Sequence, residues 1–205
     1  MASLLRDVRG GRQAAQHAVL RRLRRSEGAQ FAQHLLRLDA HSRVRRFCRP
    51  VSDALVAEYA SGCGDRLGMV EGAFVSGVLR GVAELRPYND GTFEAEAAFS
   101  VEAPWQRCGL GARLFQRLVL RARNGGVRSL SMACLPENRA MQKLAKRLGG
   151  TLVRWPGEVH GRIDDRPPNA FSAVREGVAD LTGALESSLD WWGRNNPLER
   201  CGGVA

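Results

Sequence analysis

The segment Gln106-Arg107-Cys108-Gly109-Leu110-Gly111-Ala112 joins an apolar strand pattern to an amphipathic helix pattern, and no other stretch constrains the fold as much. Glycines at such a junction let backbone N–H groups converge on an anion, and the helix that follows adds the positive end of its dipole. Residues 93–102 read as the strand feeding this turn. Beyond it, Leu110, Leu114, Phe115, Leu118, Val119 and Ala122 fall on one helical face. Asn124-Gly125-Gly126 stops that helix, residues 127–135 return as a strand, and Pro136-Glu137-Asn138 opens a second helix with Met141, Leu144, Ala145 and Leu148 on one side. A strand–turn–helix–strand–helix unit of this kind belongs in a mixed sheet.

The flanking residues extend that sheet. A helix starting at Ala29 carries Phe31, Leu35 and Leu38, and Ser52 caps a short helix through Leu55, Val56 and Tyr59. Strands are expected over 69–76 and 78–86, with Asn89-Asp90-Gly91 as a turn before the third, and again over 151–155 and 159–163 after the Gly149-Gly150 stop. A final helix follows Pro167-Pro168-Asn169. Its apolar residues Phe171, Val174, Val178, Leu181, Leu185, Leu189 and Trp192 recur every three or four positions. That stripe reads as packing on its own domain, with a homodimer contact as the alternative. The fold class is therefore α+β: a central mixed, mostly antiparallel sheet flanked by helices, with an extra C-terminal helix. The chain divides into a basic arm (1–28), one domain (29–166) and a C-terminal helix with tail (167–205).

Charge sharpens this division. Residues 1–50 hold twelve arginines against three acids, Asp7, Glu27 and Asp39, and so account for +9 of the net charge of +10. The arm reads as solvated and partly disordered; an anionic-surface contact and a targeting presequence are the sharper alternatives. The nearly neutral remainder weakens the case for a nucleic-acid partner. No run approaches the roughly 20 apolar residues that span a bilayer, so no membrane role is expected. The N-terminus lacks the apolar segment of a secretory signal, and cytoplasmic is the simple reading. Five scattered cysteines without a C-x-x-C pair argue against a disulfide framework and against structural zinc, and no metal is expected. Cys108 alone sits where a helix N-terminus would lower a thiol pKa; the plainer reading is a small residue in a turn.

Over about residues 30–165 the chain resembles the GNAT family of N-acetyltransferases. The family signature Gln/Arg-x-x-Gly-x-Gly/Ala stands here as Gln106-Arg107-Cys108-Gly109-Leu110-Gly111, with a glutamate-bearing strand and Trp105 before it and Asn138 after it. His34-Leu35-Leu36-Arg37-Leu38-Asp39, then Ser42-Arg43 and Arg46-Phe47, is similar to the opening of a bacterial branch that includes protein lysine acetyltransferase domains. Asn138-x-x-Met141 and Lys146-x-Leu148-Gly149 are similar to the same branch.

The resemblance implies acetyl-CoA as co-substrate. Its pyrophosphate would be held by Gln106, Arg107, Cys108, Gly109, Leu110, Gly111 and Ala112, and its pantetheine arm by the strand backbone at Phe99, Ser100 and Val101, with Asn138 and Met141 beside it. The acceptor implied is a primary amine, on a protein lysine or a small molecule. A lysine-like ammonium has a pKa of about 10.4, so a base must remove a proton before attack. Glu96 occupies the position of the family's glutamate base, and Glu94 shares its strand face. Desolvation in an apolar strand would suit Glu96 to that task; exposure on the sheet's solvent side is the alternative.

The family's tyrosine acid is replaced by Ala145, and Tyr59 and Tyr88 lie elsewhere in the sequence. Water would then protonate the departing thiolate, or no acid is needed. The acceptor signals conflict. Glu71, Glu84, Glu94 and Glu96 would suit a cationic amine, whereas Arg43, Arg45, Arg46 and Arg49 would suit an acidic partner. A non-catalytic acyl-CoA sensor on the same fold, and a nucleic-acid binder acting through the arm, are the rival readings.

Overall fold

The computed structural model describes residues 15–62, 68–88, 92–164 and 177–188, and among these the strand patterns pair into one seven-stranded sheet. Its members are β1 (Val19–Arg22), β2 (Met69–Val75), β3 (Val78–Pro87), β4 (Glu94–Val101), β5 (Ser129–Cys134), β6 (Thr151–Trp155) and β7 (Glu158–Asp164). The order across the sheet is β1-β2-β3-β4-β5-β7-β6. Every neighbouring pair is antiparallel except β4 with β5. The sheet is thus mixed and mostly antiparallel, as the sequence pattern implies.

Alternation along the strands builds two cores, one on each face. On one face, helix α4 (Leu110–Asn124) buries Leu110, Leu114, Phe115 and Leu118 against Ala83, Leu85, Ala95 and Ala97, and α5 (Arg139–Arg147) adds Ala145. On the other, α1 (Gly28–Leu36), α2 (Ala40–Phe47) and α3 (Asp53–Ser61) cover Val70, Phe74, Leu79 and Val82 with Phe31, Leu35 and Val56. The caps are those the residue types favour: the Ser52 side chain accepts from Leu55 N, and Asn138 from Met141 N.

Three features differ from the sequence expectation. Residues 19–22 are not part of a solvated arm; they form the edge strand β1, with Val19 buried in one core and Leu20 in the other. Strand β2 is buried on both faces and needs a neighbour, and two adjacent apolar residues suffice to supply one. The Arg21 guanidinium lies 4.0 Å from the centre of the Phe74 ring and pairs with Glu27 at 2.6 Å, so its own charge is met locally. Secondly, residues 40–47 are a separate helix, started by Asp39, whose carboxylate accepts from Ser42 N at 2.9 Å. Thirdly, the C-terminal helix, described over 177–188, leaves Val178, Leu181 and Leu185 exposed rather than packed on the domain. It docks through Gly183, where a Cβ would stand 2.6 Å from the Leu20 carbonyl oxygen, and through Asp180. The Asn89-Asp90-Gly91 turn and the stripe residues Phe171, Val174, Leu189 and Trp192 lie outside the described residues.

Asp180 belongs to a charged cluster. Glu71 on β2 has no solvent exposure and accepts from Arg117 at 2.6 Å and Arg121 at 2.7 Å, both on α4. Asp180 meets the same two guanidinium groups. Without Glu71 the two guanidinium groups would share the single, partly exposed carboxylate of Asp180, so one buried charge is left uncompensated, which costs about 3–5 kcal/mol. Glu71→Ala should therefore lower the unfolding free energy by about that amount in urea titrations; a loss below about 1 kcal/mol would show that the cluster contributes little.

Candidate functional site

Strands β4 and β5 pair only through Glu94↔Ser129, Ala95↔Leu130 and Glu96↔Ser131. Beyond that point β5 stays with β7, through Met132↔Gly161, Ala133↔His160 and Cys134↔Val159, and leaves β4 without a neighbour on that side. The register with β3 fixes what β4 offers to the gap. Tyr88 N donates to Glu94 O and Glu102 N donates to Arg80 O, so the even-numbered residues of β4 turn their backbone groups to β3. The odd-numbered residues Ala97 and Phe99 therefore aim N–H and C=O into the opening. Behind them the Phe99 ring packs on Phe115, with centroids 4.5 Å apart.

The glycine turn stands at the C-terminal end of β4. Arg107 has φ 59° and Gly109 has φ 85°, both left-handed, with Gly109 as the N-cap of α4. Left-handed residues alternating with ordinary ones turn successive N–H groups toward one concavity, and the start of α4 adds its dipole. Nothing lies within 4 Å of a Cβ built on Gly109, so its φ, not crowding, is what requires glycine there. The Gln106 amide donates to Val101 O at 2.8 Å and to Ser42 Oγ at 3.0 Å, tying the end of β4 to α2. That bond engages the Val101 carbonyl and makes Gln106 a strut. Cys108 donates its thiol proton to Gln106 O at 3.3 Å and closes the turn.

Two chambers adjoin in this region. One, of about 370 Å³, lies between the turn and α5 and is bounded by Val101, Arg107, Gly111, Ala112, Leu144 and Arg147. The other, of about 360 Å³, lies under α2 and is bounded by Arg49, Tyr59, Arg86, Glu96, Cys134 and Glu158. Arg45, Arg46, Phe99, Asn138 and Met141 belong to both. Asn138 caps α5 through Oδ1, and its amide N–H₂ is a separate donor on this shared wall.

The structure separates the two glutamates proposed from sequence. Glu96 lines the second chamber with its side chain 38% exposed, 3.9 Å from Arg86, so the apolar strand does not desolvate it. Glu94, two residues earlier at the start of β4, pairs with Arg162 at 3.0 Å and lines neither chamber. Ser100 borders the first chamber, but its backbone faces β3 and its hydroxyl meets His34 Nε2 at 2.9 Å. Of the other expected acids, Glu71 is consumed by α4, and Glu84 is fully buried among Arg46, Arg86 and Tyr59. Ala145 is 1% exposed in the core and reaches neither chamber.

Several lining residues were not singled out from sequence as parts of this site. Tyr59 lines the second chamber with its hydroxyl between Arg46, Arg86 and Glu84. Arg86 stands opposite Glu96 in the β3–β4 register, a placement that period-2 alternation in a correctly aligned hairpin could have given. Arg147 completes the helical set Ala140, Leu144, Arg147 on α5. Burial pushes the Cys134 thiol up to about 11, so it is protonated at neutral pH and no nucleophile. Among the described residues no cluster of three or more metal-ligating side chains exists, and no helix is long and apolar enough to cross a membrane.

Behind the site, burial pushes the Glu102 carboxyl up, but hydrogen bonds from His34, Arg80 and Arg37 outweigh it and hold the group below the usual range. Burial pushes the His34 imidazole below its ordinary value, opposed by Glu102. The unfolded chain, with a histidine pKa of about 6.5, then binds more protons than the folded one in mildly acidic solution. His34's contribution is present above about pH 6.5 and is lost as pH falls below that value toward its folded pKa. Urea titrations across this window should show stability falling with pH, with a shallower slope in His34→Gln; an identical slope in the variant would contradict the assignment.

The model of the acetyltransferase (GNAT) family matches residues 32–150. No curated protein matches the chain. Among solved structures, the chain is similar to the GNAT domain of S. lividans PAT, at 22% identity, covering 72% of this chain and 90% of that one, with a TM-score of 0.63. It is similar also to yncA, a putative acetyltransferase from Salmonella typhimurium solved with its cofactor acetyl-CoA (19%, 75% and 98%, TM-score 0.56). A third likeness is to ribosomal-protein-alanine N-acetyltransferase from Brucella melitensis (15%, 71% and 99%, TM-score 0.55). At these identities the likenesses establish the fold.

Proposed function

From the premise that this chain belongs to the acetyltransferase (GNAT) family, and is an acetyltransferase using acetyl-CoA, we propose that it acetylates a primary amine with Glu96 as general base. The observation that carries the reading is the adjoining of the two chambers at Phe99. A chamber beside an anion-binding turn meets a chamber holding a carboxylate where β4 has unpaired backbone groups.

The residues fit the co-substrate. The N–H groups of residues 107–112 form a cradle for a pyrophosphate, and Arg107 and Arg147 add charge at its edge. Phe99 offers an N–H and a C=O to an extended amide-bearing arm, as a neighbouring strand would, and Asn138 offers its amide donor from across the gap. The bound group supplies an activated acetyl thioester. Glu96, directly or through one water, takes a proton from the ammonium, and the neutral amine attacks the acetyl carbon. A thiol pKa of about 8.5 makes the thiolate a tolerable leaving group without a dedicated acid. Tyr59 already donates to Glu84 and is spent as a support. Both acceptor classes remain within the proposal, a protein lysine by likeness to the bacterial branch and a small amine by the size of the second chamber.

General-base catalysis contributes about 10²–10⁴-fold. Glu96→Gln should lower kcat by that order in a steady-state assay while coenzyme A affinity, measured by calorimetry, stays unchanged. Unchanged turnover would remove Glu96 from the mechanism. Coenzyme binding by a wild-type protein that acetylates no amine would make the chain a binding module instead.

A further inference from the structure

The second chamber is cationic, and its charges are unequally committed. Four arginines line it, Arg45, Arg46, Arg49 and Arg86, against two carboxylates, Glu96 and Glu158. Arg46 is held by Glu84, which is also near Arg86. Arg45 is different. Among the described residues no carboxylate pairs with it, and its Nε is shielded from solvent with no hydrogen-bond partner. The Nε of Arg86 is shielded and unpartnered in the same way. Arg43 and Arg80, outside the chamber, carry the same kind of Nε but are paired with Asp53 and Glu102, so what sets Arg45 apart is a guanidinium charge that lines the chamber and has no carboxylate to meet it. Arg49 is exposed at the same chamber.

Position narrows what the missing counter-charge belongs to. Arg45 lies on the wall common to both chambers, with Phe99 and Asn138, whereas the anion cradle is at Arg107, Gly109 and Gly111, in the first chamber only. Glu96 lies in the second chamber with Arg45. A group seated there would present an ammonium to Glu96 and an anion to the guanidinium groups. We propose that the acceptor is an amine bearing a carboxylate close to its nitrogen, with the carboxylate bound by Arg45 and by Arg49 at the chamber's exposed side. This rests on the acetyl-transfer reading and specifies its substrate class. The carboxylate can belong to a free amino acid or to an aspartate or glutamate beside a lysine in a peptide.

The test uses matched pairs that differ only in that charge. Calorimetry on the full chain saturated with coenzyme A compares Nα-acetyl amino acids with their carboxamides, and acetyl-lysine peptides flanked by glutamate with the same peptides flanked by glutamine. In whichever series supplies the acceptor, the carboxylate member should bind at least about tenfold more tightly, as a charge-assisted hydrogen bond implies. Arg45→Gln should reduce that preference to within about twofold without changing the affinity for coenzyme A itself. Equal affinities within both pairs, no binding in either series, or a preference that survives Arg45→Gln would each overturn the proposal. So would a variant that loses coenzyme A affinity instead, since Arg45 would then belong to the coenzyme. Turnover of the unacetylated partners separates the two levels. Acetylation without a carboxylate preference leaves acetyl transfer standing and removes the carboxylate seat; carboxylate binding without turnover of any amine does the reverse.

Discussion

Strands β4 and β5 hold each other over three residues apiece and then part, and the candidate site is built in the space they leave. A parallel pair normally continues until one strand ends. Here β5 keeps all six of its residues on β7, while β4 keeps seven of its eight on β3, so each strand is satisfied on its far side and neither closes the gap. The backbone groups of Ala97 and Phe99 are then left without a strand partner. In a folded protein such groups find partners in water or ligand, which is why a strand-like arm suits this opening. The glycine turn, α4 and α5 all take their places from where that separation begins.

Three buried carboxylates keep the surrounding helices in register with the sheet. Glu71 receives Arg117 and Arg121 from α4, Glu84 receives Arg46 from α2 and Tyr59 from α3, and Glu102 receives His34 and Arg37 from the α1 region together with Arg80. Each acid lies on or beside a strand, and each set of donors comes largely from the helices packed over it. Burial alone would push such groups to the neutral form. Burial does push the Glu84 carboxyl up, with Arg46 opposing it. These clusters also explain why an acid-rich central sheet yields a cationic chamber: Glu71 and Glu84 are consumed by structure, and Arg45 and Arg49 are left over.

Much of this was legible in the sequence where local physics decides. The glycine turn, the amphipathic face of α4, and the Ser52 and Asn138 caps are set by residues within one or two turns of each other, and the structure places them as the patterns imply. What escaped depends on contacts distant in sequence. Val19 and Leu20 read as part of a solvated arm, because nothing local says that β2 lacks a neighbour. The break at Asp39 was available as an Asp-x-x-Ser cap but is short beside the helix periodicity around it. Glu94 and Glu96 look equivalent on one strand face; only the arrival of β7 assigns the first to Arg162, and only the departure of β5 opens a chamber at the second. Tyr59 is 37 residues from Glu96 in the chain and joins its chamber through the packing of α3 on the sheet.

In the proposed mechanism the gap beside Phe99 and the turn at residues 107–112 together form one coenzyme seat. Backbone amide NMR of the full chain titrated with coenzyme A tests it most directly. The largest shifts, and slowed hydrogen exchange, are expected at Phe99 and across Arg107–Ala112, with the even-numbered amides of β4 little changed because they already bond to β3. Shifts confined to the turn, with Phe99 unmoved, would show that the gap is no part of the seat.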